Sequence, residues 1–93
     1  MNIGILTLRI SLPGCASLKE KRQRMRGMHQ RYGRNPAVAV CESDQRDRLE
    51  SSEWTFVVAG LRVPEVESLC SEIENKVQRT VDGRVMEATR EIL

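Results

Sequence analysis

Aromatic residues are scarce in this chain of 93 residues, which has one tryptophan, one tyrosine and one phenylalanine. Proteins that bind RNA by stacking bases on a β-sheet need two or three aromatic side chains on the exposed sheet face. Here Tyr32 falls within a predicted helix. Alternation places Trp54, Phe56 and Val58 on one face of a strand, and their bulk indicates that this face is buried. The composition therefore argues against an aromatic stacking platform on the open sheet.

Paired cysteines and long apolar runs are also absent. Cys15, Cys41 and Cys70 are an odd number without a Cys-x-x-Cys pair, which argues against a disulfide framework or zinc knuckle and indicates a reducing compartment. Cys41 ends a predicted strand and Cys70 lies in a helix stripe, so both are interpreted as packing residues. No run reaches the roughly twenty apolar residues of a membrane span, and Arg9 interrupts the N-terminus before a secretory core forms. We expect a cytoplasmic protein with no membrane partner.

No set of side chains in the sequence indicates a reaction, a metal or a cofactor, so we expect a non-enzymatic protein. His29 lies on the apolar stripe of a predicted helix without a neighbouring acid or nucleophile, which favours a packed histidine over a general base. Cys15 precedes a basic helix N-terminus, a setting that lowers a thiol pKa, but no partner histidine is placed beside it. The acids between Glu42 and Glu53 match no calcium loop and are interpreted as surface ion pairs with neighbouring arginines.

The apolar pattern predicts six elements in the order strand–helix–strand, strand–helix–strand. Alternation predicts a strand over 3–12, and apolar residues at helical spacing predict helices over 18–33 and 65–79. Shorter β-branched or apolar runs predict further strands, and the segment between the second and third is interpreted as a polar connection. These strands cover residues 37–41, 54–59 and 84–91, and the polar connection covers residues 42–53.

Helix-start signals and segment lengths convert this order into a fold. Ser17 with Glu20 three residues later forms a capping box, and Pro64 occupies the first turn of the second helix. Each half has about 40 residues, the size of one split β-α-β unit. Right-handed crossovers then place both helices on one face of a four-stranded antiparallel sheet. We predict a single domain over residues 1–93 with a ferredoxin-like α+β sandwich, β-α-β-β-α-β.

Positive charge is concentrated in the first third of the chain. Residues 1–34 carry eight bases and one acid (8 − 1 = +7), whereas residues 35–93 carry seven bases and twelve acids (7 − 12 = −5). The formal net charge of +2 therefore conceals a dipolar molecule. Such asymmetry predicts an anionic partner for one face.

The first predicted helix carries most of this charge in two rows that flank its apolar stripe. The rows are Lys19, Arg22 and Arg26 on one flank and Arg24 and Arg31 on the other, with Lys21 close to the stripe itself. The first row spans about 10 Å at 1.5 Å per residue, comparable to a few backbone phosphates. Arginine binds phosphate oxygens bidentately. Like charges at these spacings destabilise a helix, which favours a bound anion over a merely solvated face.

Three segments resemble the YlxP-like family of small bacterial proteins, and the similarity covers essentially the whole chain. They are Ser-Leu-Lys-Glu-Lys-Arg at 17–22, Glu-Ser-Asp-Gln-Arg-Asp at 42–47 and Arg-Glu-Ile-Leu at 90–93. The resemblance implies a ferredoxin-like fold and a gene often found near translation-initiation and ribosome-maturation genes. It also implies an uncharacterised family without an established activity. The chain departs from it at Leu49, where an aromatic residue is common, and at Trp54, where an aliphatic one is common.

We therefore predict that the basic helix binds RNA or a ribosomal subunit through the phosphate backbone, with poor sequence specificity. The resemblance favours RNA over DNA or a membrane. The candidate nucleic-acid-binding residues are Lys19, Lys21, Arg22, Arg24, Arg26 and Arg31. Ser17 and Lys19, at the helix N-terminus, are a candidate site for one phosphate or sulfate, although a capped helix start alone also explains Ser17. The alternative is an ordinary helix face whose arginines pair with acids elsewhere in the chain.

A second interpretation of a different class uses the sheet face that the helices leave uncovered. Alternation places Ile5, Thr55, Val57 and Ala59 on this face. Such a mixed face is compatible with a homodimer, and hence with a homo-oligomeric protein-interaction or small-ligand regulatory module. Salt separates the two interpretations, because phosphate binding weakens steeply with ionic strength and an apolar interface does not.

Overall fold

The computed structural model describes all residues from 1 to 93 and contains four strands and two helices. In chain order they are β1 (Asn2–Ser11), α1 (Leu18–Tyr32), β2 (Val38–Asp44), β3 (Ser51–Gly60), α2 (Val63–Thr80) and β4 (Arg84–Ile92). The strands form one antiparallel sheet in the order β2-β3-β1-β4. Two β-α-β units are thus interleaved, and the predicted ferredoxin-like sandwich is confirmed.

The central strand β1 determines which face of the sheet is buried. Leu6 and Leu8 are fully buried, whereas Arg9 points to the opposite face and is exposed. Leu6 lies opposite Phe56 on β3, and Leu8 lies opposite Trp54. Because directly opposed residues of neighbouring strands share a face, the two rings pack into the core with the leucines. The prediction that these aromatic residues are buried is confirmed.

Both helices pack on this buried face. The apolar side chains that they contribute to the core are Met25, Met28 and Tyr32 from α1, and Val66, Cys70, Ile73 and Val77 from α2. The α2 residues recur at helical spacing, so their burial against the sheet stabilises the helix far more than its intrinsic propensity does. Measured by length and hydropathy, neither helix is suited to crossing a membrane.

Helix α1 begins at the predicted capping box. The Ser17 hydroxyl accepts a hydrogen bond from the Glu20 backbone N–H at 3.1 Å, and the Glu20 carboxylate accepts one from the Ala16 N–H at 2.8 Å. The Ala16 N–H, followed by the Cys15 thiol, holds the pKa of Glu20 below its ordinary value. Donors of the turn before the helix are thereby satisfied, which fixes where the helix starts.

The structure differs from the sequence prediction mainly between β2 and β3. The segment 42–53, predicted as a polar connection, is largely sheet, because β2 continues to Asp44 and β3 begins at Ser51. β2 is an edge strand, so its polar side chains reach solvent while its backbone pairs with β3. Some of the polar residues that predict a loop therefore lie in an edge strand, whose pairing with β3 contains one bulge.

Candidate nucleic-acid interface

One predicted row of α1 is free of partners within the protein. Lys19, Arg22 and Arg26 are exposed, and their side chains form no ion pair or hydrogen bond. We call these three residues the α1 cationic row. The ion pairs of the protein lie elsewhere and are Arg9–Glu87, Lys21–Glu42, Arg24–Asp82 and Arg90–Glu74. The row therefore presents three uncompensated charges on one helical face.

The second predicted row instead connects α1 to the end of α2 and to the turn that follows it. Arg24 donates to the backbone oxygen of Asp82 at 2.8 Å and to that of Pro13 at 3.1 Å, and it lies 3.4 Å from the Asp82 carboxylate. Arg31 donates to the Thr80 hydroxyl at 2.6 Å. The structure thus assigns these two guanidinium groups to contacts within the protein, on the other flank of α1 from the cationic row.

Lys21 is a buried structural residue. Its side chain is 5% exposed, and its Nζ donates to the backbone oxygens of Gln45 at 2.6 Å, Arg48 at 2.7 Å and Arg46 at 3.3 Å. The Glu42 carboxylate lies 3.2 Å from the same nitrogen. An ammonium group has three donors, so these partners satisfy it. This finding corrects the placement of Lys21 among the phosphate-binding residues, because the group reaches no external phosphate without opening this loop.

The Lys21 contacts hold the segment after β2 against α1 and so form a groove of about 650 Å³. We call it the α1 groove. The side chains that matter for its chemistry are Arg22, Arg26 and His29 from α1, Arg46 and Asp47 from the loop, and Trp54 at the base. With Lys21 and Glu42 included, the lining carries four bases and two acids, 4 − 2 = +2. The groove therefore adjoins the cationic row and shares two of its arginines.

An aromatic pair lies at the base of the α1 groove. The His29 ring meets Trp54 edge-on, with centroids 4.9 Å apart and planes at 73°. The interpretation of His29 as a packed core residue is wrong, because it is exposed on the groove side of α1. The Trp54 indole nitrogen is buried and donates no hydrogen bond within the protein. A buried donor without an acceptor costs about 1–3 kcal/mol, and such groups require an explanation in a native structure.

The turn before α1 already binds two carboxylates through its backbone N–H groups. Glu20 accepts a backbone N–H at 2.8 Å, and Glu50 accepts another from the same turn at 3.1 Å. The Ser17 hydroxyl is engaged as the cap. These interactions occupy donors that the predicted phosphate site at Ser17 and Lys19 requires, and they place negative charge beside it. The capped helix start explains the geometry of this turn, and Lys19 belongs to the cationic row.

The three cysteines differ in their surroundings. Burial, with a hydrogen bond to Glu20, raises the pKa of the Cys15 thiol, which is opposite to the predicted lowering. Cys41 is exposed, so its interpretation as a packing residue is wrong. Cys70 is buried as predicted, and burial raises its pKa. No group of three or more His, Cys, Asp or Glu side chains is arranged to hold a metal ion.

The sheet face without helices combines apolar and hydroxyl side chains. Ile5 lies opposite Val57 near one end of β1. The hydroxyls of Thr7 and Thr55 lie 3.3 Å apart in the middle, and an ion pair joins β1 to β4 beyond them. The predicted alternation of residues on this face is therefore confirmed, with the apolar part confined to one end.

Arg46 is a candidate binding residue that sequence reasoning missed. The sequence suggests that it pairs with neighbouring acids, but its side chain forms no ion pair and lines the α1 groove across from the cationic row. No local pattern marks it, since it reaches this position only because Lys21 binds the backbone of its loop. Only tertiary contacts place Arg46 beside the α1 groove and so make it a candidate binding residue.

Solved structures with a similar fold include enzymes. A candidate chlorite dismutase matches 99% of this chain with a TM-score of 0.58 and 14% identity, and the chain spans 44% of that protein's length. SnoaB, a cofactor-independent oxygenase from Streptomyces nogalater, matches with a TM-score of 0.55 and 10% identity, covering 99% of this chain and 90% of its own. The designed protein Ferredog-Diesel has a TM-score of 0.48 and 13% identity, covering 96% and 83%. At these identities, the similarities to the first two proteins show the fold alone.

Sequence comparison adds the family. A search of curated proteins finds no match. The profile of a family described as "Protein of unknown function (DUF503)" matches residues 3–90, a range that includes the α1 cationic row and the whole α1 groove. This protein therefore belongs to the DUF503 family of proteins of unknown function.

Proposed function

We propose that this protein is a non-enzymatic RNA- or ribosome-associated protein that binds the phosphate backbone through the α1 cationic row, extended by Arg46. One observation carries the proposal: Lys19, Arg22 and Arg26 are exposed and unpaired on one helical face. Such a row is destabilising for the free protein and becomes favourable when phosphates neutralise it.

The pairing of the other charges supports this assignment. Within residues 1–34, Arg9, Lys21 and Arg24 are engaged in ion pairs, so the positive excess of this part of the chain is not spread evenly over its surface. Of the five bases without an ion pair (8 − 3 = 5), three form the α1 cationic row on the outer flank of α1. The α1 groove beside this row is itself positive by 4 − 2 = +2. An anionic polymer that follows this flank meets arginine on both sides of the groove mouth.

RNA is proposed over other polyanions because the chain resembles the YlxP-like family, whose gene neighbourhood implies translation initiation or ribosome maturation. Contacts to phosphate position a protein on nucleic acid without reading its sequence. We therefore expect similar affinity for unrelated RNA sequences and association with ribosomal subunits that is lost at high salt.

The decisive experiment removes the row and measures the salt dependence of RNA binding. Each lost phosphate contact reduces the magnitude of the slope of log K against log salt by about 0.7 for a single strand. The triple variant Lys19→Ala, Arg22→Ala, Arg26→Ala should therefore have a slope flatter than wild type by roughly 2 units. Fluorescence anisotropy with labelled single-stranded RNA at several salt concentrations gives the slopes.

A charge-matched control separates this surface from net charge alone. The variant Arg62→Ala, Lys76→Ala, Arg79→Ala removes three exposed cations on or beside α2, and its slope should stay close to wild type. Equal slopes in wild type and the α1 variant would overturn the proposal. So would the absence of wild-type binding at low salt and micromolar protein, or an equal loss in both variants.

The open sheet face supports a second candidate, a homo-oligomeric interaction or small-ligand module. Its specific observation is the exposure of Ile3 (37%), Val57 (39%) and Leu93 (64%), of which Ile3 and Leu93 are joined by a backbone hydrogen bond of 2.7 Å. Sedimentation velocity tests it with Val57→Asp. Self-association that persists at high salt and is abolished by this change would favour the module, whereas a monomer at all concentrations would exclude the homodimer.

A further inference from the structure

We propose that the α1 groove binds one unpaired nucleotide of the RNA, with its base against the His29–Trp54 pair and its phosphate on the cationic row. This inference rests on the proposed function, because the row delivers the RNA to the groove. It adds to backbone binding a site where a single base is held.

The size and composition of the groove fit a nucleotide better than a bare phosphate. Sites for small molecules are clefts of about 300–1,000 Å³ with apolar or aromatic surface and a few polar groups, and the groove measures about 650 Å³. Its apolar lining comes from Leu18, Met25 and Trp54. Leu18 is 46% exposed. A free phosphate gains nothing from contact with this apolar surface, whereas the heterocycle of a base packs favourably against it.

The aromatic pair supplies the contact to the base. Proteins hold single-stranded RNA bases by stacking them on aromatic side chains or guanidinium planes. His29 is an exposed ring at the groove, and Trp54 beneath it has an indole N–H without an acceptor in the protein. A base that packs against His29 or displaces it brings carbonyl or ring-nitrogen acceptors to this donor. In the bound state the indole N–H of Trp54 therefore has an acceptor that it lacks in the free protein.

The charges around the groove are arranged for a base with an attached phosphate. Arg22 and Arg26 belong to both the row and the groove lining, and Arg46 lies on the opposite wall. Lys21 already compensates Glu42, so Asp47 is the free carboxylate, an acceptor for base N–H groups or ribose hydroxyls. A phosphate at the mouth and a base inside therefore meet charges of the appropriate sign.

Trp54 makes the inference measurable, because it is the only tryptophan of the chain. The intact protein is titrated at low salt with nucleoside 5′-monophosphates, and in parallel with ribose 5-phosphate and inorganic phosphate. Nucleotides should change Trp54 emission with a saturable curve and bind at least about ten times more tightly than ribose 5-phosphate, since stacking of a base contributes on the order of a tenfold gain or more. Equal affinities for nucleotide and ribose 5-phosphate, or no saturable signal, would overturn the inference.

Variants then test the residues, with affinities from isothermal titration calorimetry so that altered Trp54 emission does not matter. His29→Ala should weaken nucleotide binding on the order of five- to a hundredfold, the range for loss of a stacking side chain, and leave the salt slope for RNA unchanged. Arg46→Ala should weaken nucleotide binding, whereas Arg48→Ala, in the same loop but outside the groove lining, should not. Melting curves establish that each variant is folded.

The outcomes for the two proposals are distinguishable. Salt-dependent RNA binding through the cationic row with no nucleotide binding in the groove would overturn this inference and leave the proposed function standing. Nucleotide affinity unchanged by His29→Ala would also overturn it. Loss of both activities from the wild-type protein would overturn both proposals.

Discussion

Lys21 is the side chain on which the arrangement of the candidate site depends. Its ammonium group replaces water with three backbone oxygens and one carboxylate. Lys21 comes from α1, its backbone acceptors come from the segment after β2, and Glu42 lies in β2 itself. One residue therefore joins α1 to a loop that contributes no side chain to the apolar core. Lys21 therefore holds the candidate site in shape, but its charge is not available to an external ligand.

Replacing Lys21 with methionine should lower the free energy of unfolding by about 3 kcal/mol, because removal of one partner leaves the other buried charge uncompensated. It also leaves backbone oxygens of the loop without a donor. Urea denaturation monitored by circular dichroism measures the change. Lys19→Met, two positions earlier and exposed, is the matched control. Its free energy of unfolding should lie within about 0.5 kcal/mol of the wild-type value.

The pair can be tested further with Lys21→Met combined with Glu42→Gln. Because the second change removes the uncompensated carboxylate, the double variant should be more stable than Lys21→Met alone. A Lys21→Met protein with the stability of wild type would contradict the structural role assigned to this residue.

Glu20 should make stability depend on pH in the acidic range. Its folded-state pKa is held below the ordinary value of 4.5, chiefly by the Ala16 N–H. Near and below pH 4.5 the unfolded chain therefore binds more protons than the folded protein, so this contribution is fully present at neutral pH and is lost as the pH falls through the folded pKa. Glu20→Gln should be less stable than wild type at pH 7, and the difference should shrink below pH 4. Urea denaturation midpoints of both proteins at several pH values test this prediction. A difference in stability that stays constant with pH would contradict the role assigned to Glu20.

Two glycines in different elements predict opposite effects of the same substitution. Gly27 lies in α1, where an added Cβ meets no atom within 4 Å, so Gly27→Ala should raise the free energy of unfolding by about 1 kcal/mol through helix propensity. Gly4 lies in β1 beneath α2, where a Cβ would come within 2.6 Å of Val66 Cγ1, so Gly4→Ala should lower it by about 1–3 kcal/mol. Chemical denaturation of both variants tests the pair. A Gly4→Ala variant as stable as wild type would show that α2 does not pack this closely on β1, and a destabilised Gly27→Ala variant would contradict the propensity argument.

The edge strand β2 shows where element prediction from the sequence is weakest. In β1 a strict alternation reports burial on one face, and the strand follows from it directly. In β2 the polar residues Glu42, Ser43 and Asp44 still belong to the strand, because the backbone of β3 supplies partners that no local pattern reveals. Intrinsic signals therefore locate the central strands, and pairing with a neighbour determines the length of the edge strand.

Across the whole molecule, folding divides the cations of the basic first third of the chain into three groups by their interactions. Some cations of residues 1–34 enter ion pairs, Arg31 hydrogen-bonds to Thr80 at the end of α2, and the α1 cationic row and Arg34 have no partner within the protein. The asymmetry of +7 against −5 is therefore not itself the interface. Three of the cations without an ion pair lie together on one flank of α1 beside a groove, where we propose that a polyanion contacts several charges at once.

The fold of this protein and the location of the cationic row follow from the amino-acid sequence alone. Binary patterning, the capping box at Ser17 and the helical spacing of Lys19, Arg22 and Arg26 depend on neighbours close in the chain, so they are legible without a structure. Contacts in three dimensions are needed to establish that Lys21 is buried, that Arg24 and Arg31 form hydrogen bonds within the protein, and that the Arg46 loop closes a groove over Trp54. These outcomes depend on contacts between residues far apart in the chain, and a charge pattern cannot distinguish a cation that meets a carbonyl from one that meets solvent.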